Sequence, residues 1–238
     1  MPASRIGDEK VDIAELDALG FDSKGKAAFV SHVALATKAF SGGPPVSVRI
    51  AHMMPPFRPA SPSGSDVSCF GGAELTEDER KQIAEFIQEL IGEYNAEETR
   101  RKATAAWDDD AKKKFRADQY AIRPAVVSPT SDRPYHQLSC AGFVHEAYAN
   151  ASLTLLTEDE AAWPHVDMPT LKAAYPSLVD YLDDPEFCVS KGLSDGDRWP
   201  VLLPGYILHA LARTRSEIET APYQPAPGDE VFNPDKTV

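Results

Sequence analysis

Residues 26–40, KAAFVSHVALATKAF, decide the fold. Read at helical spacing, Phe29, Val33, Ala36 and Phe40 share one face of a helix that stops at the following glycine pair. Read with a period of two, the same Val- and Phe-rich run is one arm of a hairpin that turns at Ser41-Gly42-Gly43-Pro44-Pro45. The residues alone leave both open. The next segment is plainer: in VSVRIAHMM (46–54), Val46, Val48, Ile50 and His52 alternate with Ser47, Arg49 and Ala51, the pattern of a half-buried strand.

Working outward, PPFRPASPSGSD (55–66) is too rich in Pro and Ser for an element and reads as an exposed loop. Thr76 and Glu79 then form a capping box ahead of a helical stripe, Ile83, Phe86, Ile87, Leu90, Ile91 and Tyr94. The stretch up to Asp118 is charged and helix-prone. Residues 122–137 carry three prolines and should be extended. Helices are expected from Cys140, after Pro169 (Leu171, Tyr175, Leu178, Leu182) and over YILHALARTRSEIE (206–219). The tail YQPAPGDEVFNPDKTV (223–238) is turn-rich with one possible strand, Glu230–Phe232. The class is α+β with helices in the majority, in one domain with a helical insertion around 75–118 and a C-terminal extension around 200–238.

Composition excludes some functions. The 238 residues carry a net charge of -13 and no basic block, and Lys112, Lys113 and Lys114 are diluted by Asp108, Asp109 and Asp110, so nucleic-acid phosphates are not the expected partner. The opening MPASRIGDEK lacks a basic region and an apolar core, and no run reaches the roughly 20 apolar residues of a membrane span, so a cytoplasmic location is expected. Cys69, Cys140 and Cys188 are odd in number and widely spaced, with neither a zinc nor a disulfide pattern. No metal or organic cofactor is called for.

One cysteine has a context that suggests chemistry. In LSCAGFVHEAYAN (138–150), Ser139 is a good N-cap and sets Cys140 in the first turn of a helix. There, unpaired N–H groups and the helix dipole favour a thiolate. Ala141 and Gly142 leave room for a substrate, and the Cys140 N–H is available to an oxyanion. Phe143, Val144, Ala147 and Tyr148 anchor the helix. The competing reading is a small buried residue used for packing. Cys69, ahead of Gly71 and Gly72, and Cys188, in the irregular-looking EFCVSKGL, read as packing residues.

The run Ser139-Cys140-Ala141-Gly142-Phe143-Val144, with Tyr148 beyond it, resembles the nucleophile motif D-C-S-G-[FL]-V of NlpC-type papain-like amidases and peptidases. Ser139 stands for the usual Asp and Ala141 for the usual Ser. In that family's standard order, a G-D-[LV]-V-[FY] strand and a histidine strand follow the cysteine. Gly228-Asp229-Glu230-Val231-Phe232 resembles the first, but no histidine follows it, and His209 lies in what looks like a helix interior.

Circularly permuted members, the lecithin-retinol acyltransferase-like and YiiX-like groups, place the histidine strand first. Ser31-His32-Val33-Ala34-Leu35 resembles that strand. The resemblance implies a papain-like core, Cys140 as nucleophile and His32 as base, with His52 orienting it, or serving as base if residues 26–40 are helical. Ser139, Ala141, Gly142 and His136 would line the substrate cleft. His145 and His165 read as surface or loop residues. The implied activity is cysteine-dependent hydrolysis or acyl transfer on an amide, ester or thioester of a peptide, lipid or other acyl-bearing molecule. The alternative is a non-catalytic interaction module with an acidic face for a basic partner.

Overall fold

The structure is a computed structural model that describes residues 4–5, 11–22, 30–42, 47–54, 57–62 and 67–232. Phe29, Val46 and the Gly43-Pro44-Pro45 part of the expected turn lie outside the described residues.

Within residues 26–40, Val30–Ala36 is a strand. The N-terminal half supplies β1 (Ser4–Arg5), β2 (Val11–Ile13), β3 (Ala18–Asp22), β4 (Val30–Ala36), β5 (Phe40–Gly42), β6 (Ile50–His52), β7 (Arg58–Ala60) and β8 (Val67–Gly71). Six of these form one antiparallel sheet in the order β1-β8-β3-β4-β6-β7, while β2 and β5 pair as a separate ribbon. β4 is central because both its faces bury: Val30, Val33 and Leu35 join the main core, and Ala34 and Ala36 join a smaller cluster with Ile13, Leu19, Val48, Ile50, Val67 and Phe70. A helix has one apolar stripe; two buried faces are what a strand between two layers offers.

The Pro/Ser-rich loop needs correcting. Within it Phe57 is buried and β7 pairs with β6, Ala51 opposite Pro59. As the outermost strand, β7 tolerates a proline that a central strand would not.

The C-terminal half supplies α1 (Glu77–Thr104), α2 (Asp109–Gln119), β9 (Val126–Val127), β10 (Gln137–Leu138), α3 (Cys140–Asn150), β11 (His165–Asp167), α4 (Met168–Ala174), α5 (Val179–Leu182), α6 (Pro185–Ser190), β12 (Arg198–Pro200), α7 (Pro204–Leu211) and α8 (Arg215–Thr220). α3 and α7 pack on the sheet and α1 packs on α3. Ile83, Phe86, Ile87, Leu90 and Tyr94 of α1 are buried, each contributing about 1.5–3 kcal/mol. The segments expected as insertion and extension thus share one core with Phe143 and Tyr148.

Four further expectations change. The run after Pro169 is broken at Pro176 into short helices, because proline removes a backbone donor and crowds the preceding turn. Residues 206–219 divide into α7 and α8, since Thr214 starts a second capping box with Glu217. Glu230–Phe232 is part of a turn and not a strand, and Cys188 lies in α6.

The α1 cap is wired to α8. Glu79 Oε2 accepts from the Thr76 N–H at 2.7 Å, and both carboxylate oxygens accept from Arg215, at 2.6 and 2.9 Å. The Arg215 pair is the main reason the Glu79 carboxyl is held down at about 2. Glu79→Gln is therefore expected to cost about 1–2 kcal/mol in urea unfolding at pH 7. Its stabilisation, present above the ordinary carboxylate range, fades as pH falls toward 2. Breaking the exposed Lys81–Glu85 pair should cost under about 0.5 kcal/mol. Equal effects would show the Arg215 link to be idle.

Candidate active site

Local pairing sets the start of α3. β10 pairs with β9, and the Ser139 N–H donates to the Ala125 carbonyl at 3.0 Å, which turns the chain into the helix. Ser139 Oγ accepts from the Gly142 N–H at 2.8 Å, as an N-cap should. The Tyr148 hydroxyl donates to the Leu16 carbonyl at 3.1 Å, fixing the other end of the helix to the turn before β3.

Cys140 is 3% exposed. The N–H groups of Val33, Ala141 and Cys140 itself face its sulfur, but loss of hydration outweighs them and pushes the thiol up to about 11. The expected lowering by the helix start is therefore present but overruled. Tyr175, at the end of α4, covers this region: its hydroxyl donates to the Leu202 carbonyl at 2.6 Å and lies beside Ser139.

His32 and His52 come together from different strands. His32 Nε2 and His52 Nδ1 are 3.0 Å apart with the rings edge-to-face, and Phe21, opposite His32 on β3, has its ring 5.8 Å away. Burial, and then the neighbouring ring, push the His32 imidazole down to about 3. At neutral pH His32 is uncharged. Alternation along β4 sends Val33 toward α3 and the His32 side chain to the opposite side of the strand. The sulfur thus abuts the backbone immediately after His32, while the ring turns to His52. Among the described residues the hydrogen bonds to Sγ come from backbone N–H groups, and the His32 ring is bonded to His52.

The expected cleft residues are engaged elsewhere. Ser139 is 1% exposed and Ala141 fully buried. The space beside Gly142 is filled by the Ala125 peptide, so its missing side chain makes room for backbone and not for substrate. His136 is pinned to α1: its Nδ1 lies 2.8 Å from Glu93 Oε2, its N–H donates to the same oxygen, and its carbonyl accepts from Tyr94.

Of the other histidines, His145 is half-buried rather than exposed, and burial pushes it down to about 4. His165 is exposed on β11. His209 stacks on Tyr223, and its Nε2 lies 3.1 Å from the Val231 carbonyl. Cys69 is buried in β8, and Cys188 donates to the Leu182 carbonyl. The placement of Tyr175 had no local signal, because its neighbours Ser139 and Leu202 are distant in sequence.

Among the described residues, no three His, Cys, Asp or Glu side chains converge as metal ligands, and no helix is long and apolar enough to cross a membrane. The class these features define is an α+β protein with an antiparallel six-stranded sheet carrying a cysteine-headed helix. No family model, curated protein or solved structure matches the chain.

Proposed function

We propose that the chain is a cysteine-dependent acyl-transfer enzyme, a hydrolase or acyltransferase, built on a papain-like core in permuted order. The observation that carries this reading is convergence. The Cys140 sulfur meets the Val33 N–H, more than a hundred positions away in sequence, and His32, the residue before Val33, is hydrogen-bonded to a second histidine on the other side of the strand.

In the proposed reaction Cys140 Sγ attacks the carbonyl carbon of an amide, ester or thioester, and its proton passes to the free nitrogen of His32, Nδ1. The His52 hydrogen bond holds the ring and fixes its tautomer. The oxyanion accepts from N–H groups at the start of α3. The leaving group departs with the proton from His32, and the acyl group on sulfur passes to water or another acceptor. With a thiol near 11 and an imidazole near 3, the resting pair is neutral, so proton transfer accompanies attack rather than preceding it. The step requires Sγ and the His32 ring to come within hydrogen-bond reach, a contact the resting structure does not make.

A second reading, a non-catalytic module with an acidic surface for a basic partner, is favoured by the 3% exposure of Cys140. p-Nitrophenyl acetate with peptide mapping separates the two. The enzyme reading expects an acetyl group on Cys140, formed at least 100-fold more slowly in His32→Gln and absent in Cys140→Ala. Acetylation confined to Cys188, with all three proteins folded by circular dichroism, would overturn it in favour of the module.

A further inference from the structure

Lys191, the residue that ends α6, carries an amine that the fold takes out of water. The residue is 7% exposed. Its Nζ donates to the Tyr120 carbonyl at 2.7 Å and lies 5.4 Å from the centre of the Phe187 ring. Among the described residues no carboxylate forms an ion pair with it. Loss of hydration pushes the amine down to about 8, with Asp118 opposing that shift and the Arg133 guanidinium adding to it. Asp118 is itself bonded to Arg101 at 2.8 Å. In mildly basic solution Lys191 is thus largely a neutral, nucleophilic amine.

Two neighbouring side chains hold buried donors with no acceptor. Gln119 ends α2, immediately before Tyr120, and is fully buried, yet neither atom of its side-chain amide has a hydrogen-bond partner. Whichever way that amide is turned, it holds an unused donor. Arg133, in the β9–β10 connection, donates from one terminal nitrogen to the Ser128 carbonyl at 3.0 Å, while its buried Nε has no partner. Buried polar groups are nearly always bonded. Orphaned donors on two segments beside a buried amine point to an acceptor supplied from outside the chain.

We propose that Lys191 is carboxylated by carbon dioxide to a carbamate whose oxygens accept from Arg133 Nε and the Gln119 amide. The lone pair of the neutral amine attacks the carbon of carbon dioxide. An N–C bond forms, one C–O π pair passes to oxygen, and one amine proton leaves to solvent. The N–H that remains still donates to the Tyr120 carbonyl, and the new negative charge turns the repulsion between Lys191 and Arg133 into a charge-assisted hydrogen bond. Neither Cys140 nor His32 takes part, so the inference stands apart from the acyl-transfer reading.

The test equilibrates the full chain at about pH 8, where burial has released the Lys191 proton and ordinary lysines keep theirs, with carbon-13-labelled bicarbonate. Carbon-13 NMR reads the carbamate, and triethyloxonium then fixes it as an ethyl ester for peptide mapping. A resonance that saturates with bicarbonate is expected, with the trapped ester at least tenfold more abundant on Lys191 than on the exposed Lys81. Mapping separates it from any carbamate on the α-amino group, which ionises in the same range. Lys191→Met should abolish the Lys191 signal. Should that variant not fold, Gln119→Leu, which loses no hydrogen bond, should lower the Lys191 carbamate at least threefold. A carbamate confined to the α-amino group, equal trapping on Lys191 and Lys81, or an undiminished Lys191 carbamate in Gln119→Leu would overturn the proposal.

Discussion

Replacing Gly142 with alanine is expected to lower the unfolding free energy by at least about 2–4 kcal/mol, the penalty for overpacking against a backbone that cannot rotate away. The new methyl would stand 3.0 Å from the Ala125 carbonyl carbon and closer still to its oxygen. That oxygen also accepts from Ser139 N–H, so relief by moving it would break the bond that starts α3. For a chain of this length the melting temperature should fall by roughly 5–15 °C. Gly92→Ala is the matched control. It lies within α1, nothing stands within 4 Å of its added methyl, and it should be neutral or stabilising by up to about 1 kcal/mol. Similar melting curves for the two variants would show that the Ala125 peptide yields freely.

Acid is expected to destabilise the fold well above the range in which carboxylates titrate. His32 and His145 are held down at about 3 and about 4, against 6.5 for a free imidazole. Between those limits the unfolded chain binds more protons than the folded one, so stability falls as pH falls. The stabilisation is complete above pH 6.5 and is lost progressively toward pH 3. By pH 4 the two rings account for roughly 3–6 kcal/mol, or a drop of about 10 °C or more in melting temperature. Asp17 and Glu146, whose carboxyls are raised by burial, work against this slope, and Glu79 adds to it at lower pH. His32→Gln should flatten the profile between pH 7 and pH 4. A wild-type stability that is level or rising over that interval would contradict the burial of these rings.

What could be read from the residues was mostly what neighbours along the chain dictate. Thr76 and Glu79 lie three positions apart, and their capping box formed where expected, with the α1 stripe behind it. Ser139 capped α3 for the same reason. Residues 30–36 resisted, because Val, Ala and Leu serve both a buried strand and a helix. Only the flanking β3 and β6, far along the chain, select the strand. Pro59 suggested a loop because the position of a strand within its sheet is not written locally. At the site, the His32–His52 contact followed from the family likeness, and the state of the sulfur did not. A helix start predicts a lowered thiol, yet the depth of Cys140 depends on the whole core closing over it. Gly142 misled for a related reason, since nothing nearby announces that Ala125 folds back onto it.

The rim strand β7 carries one more consequence. Pro59 has no amide hydrogen to offer another backbone, so at that position the ladder cannot be extended by an incoming chain. The proline that disguised the strand in the sequence also guards the folded molecule against edge-to-edge polymerisation.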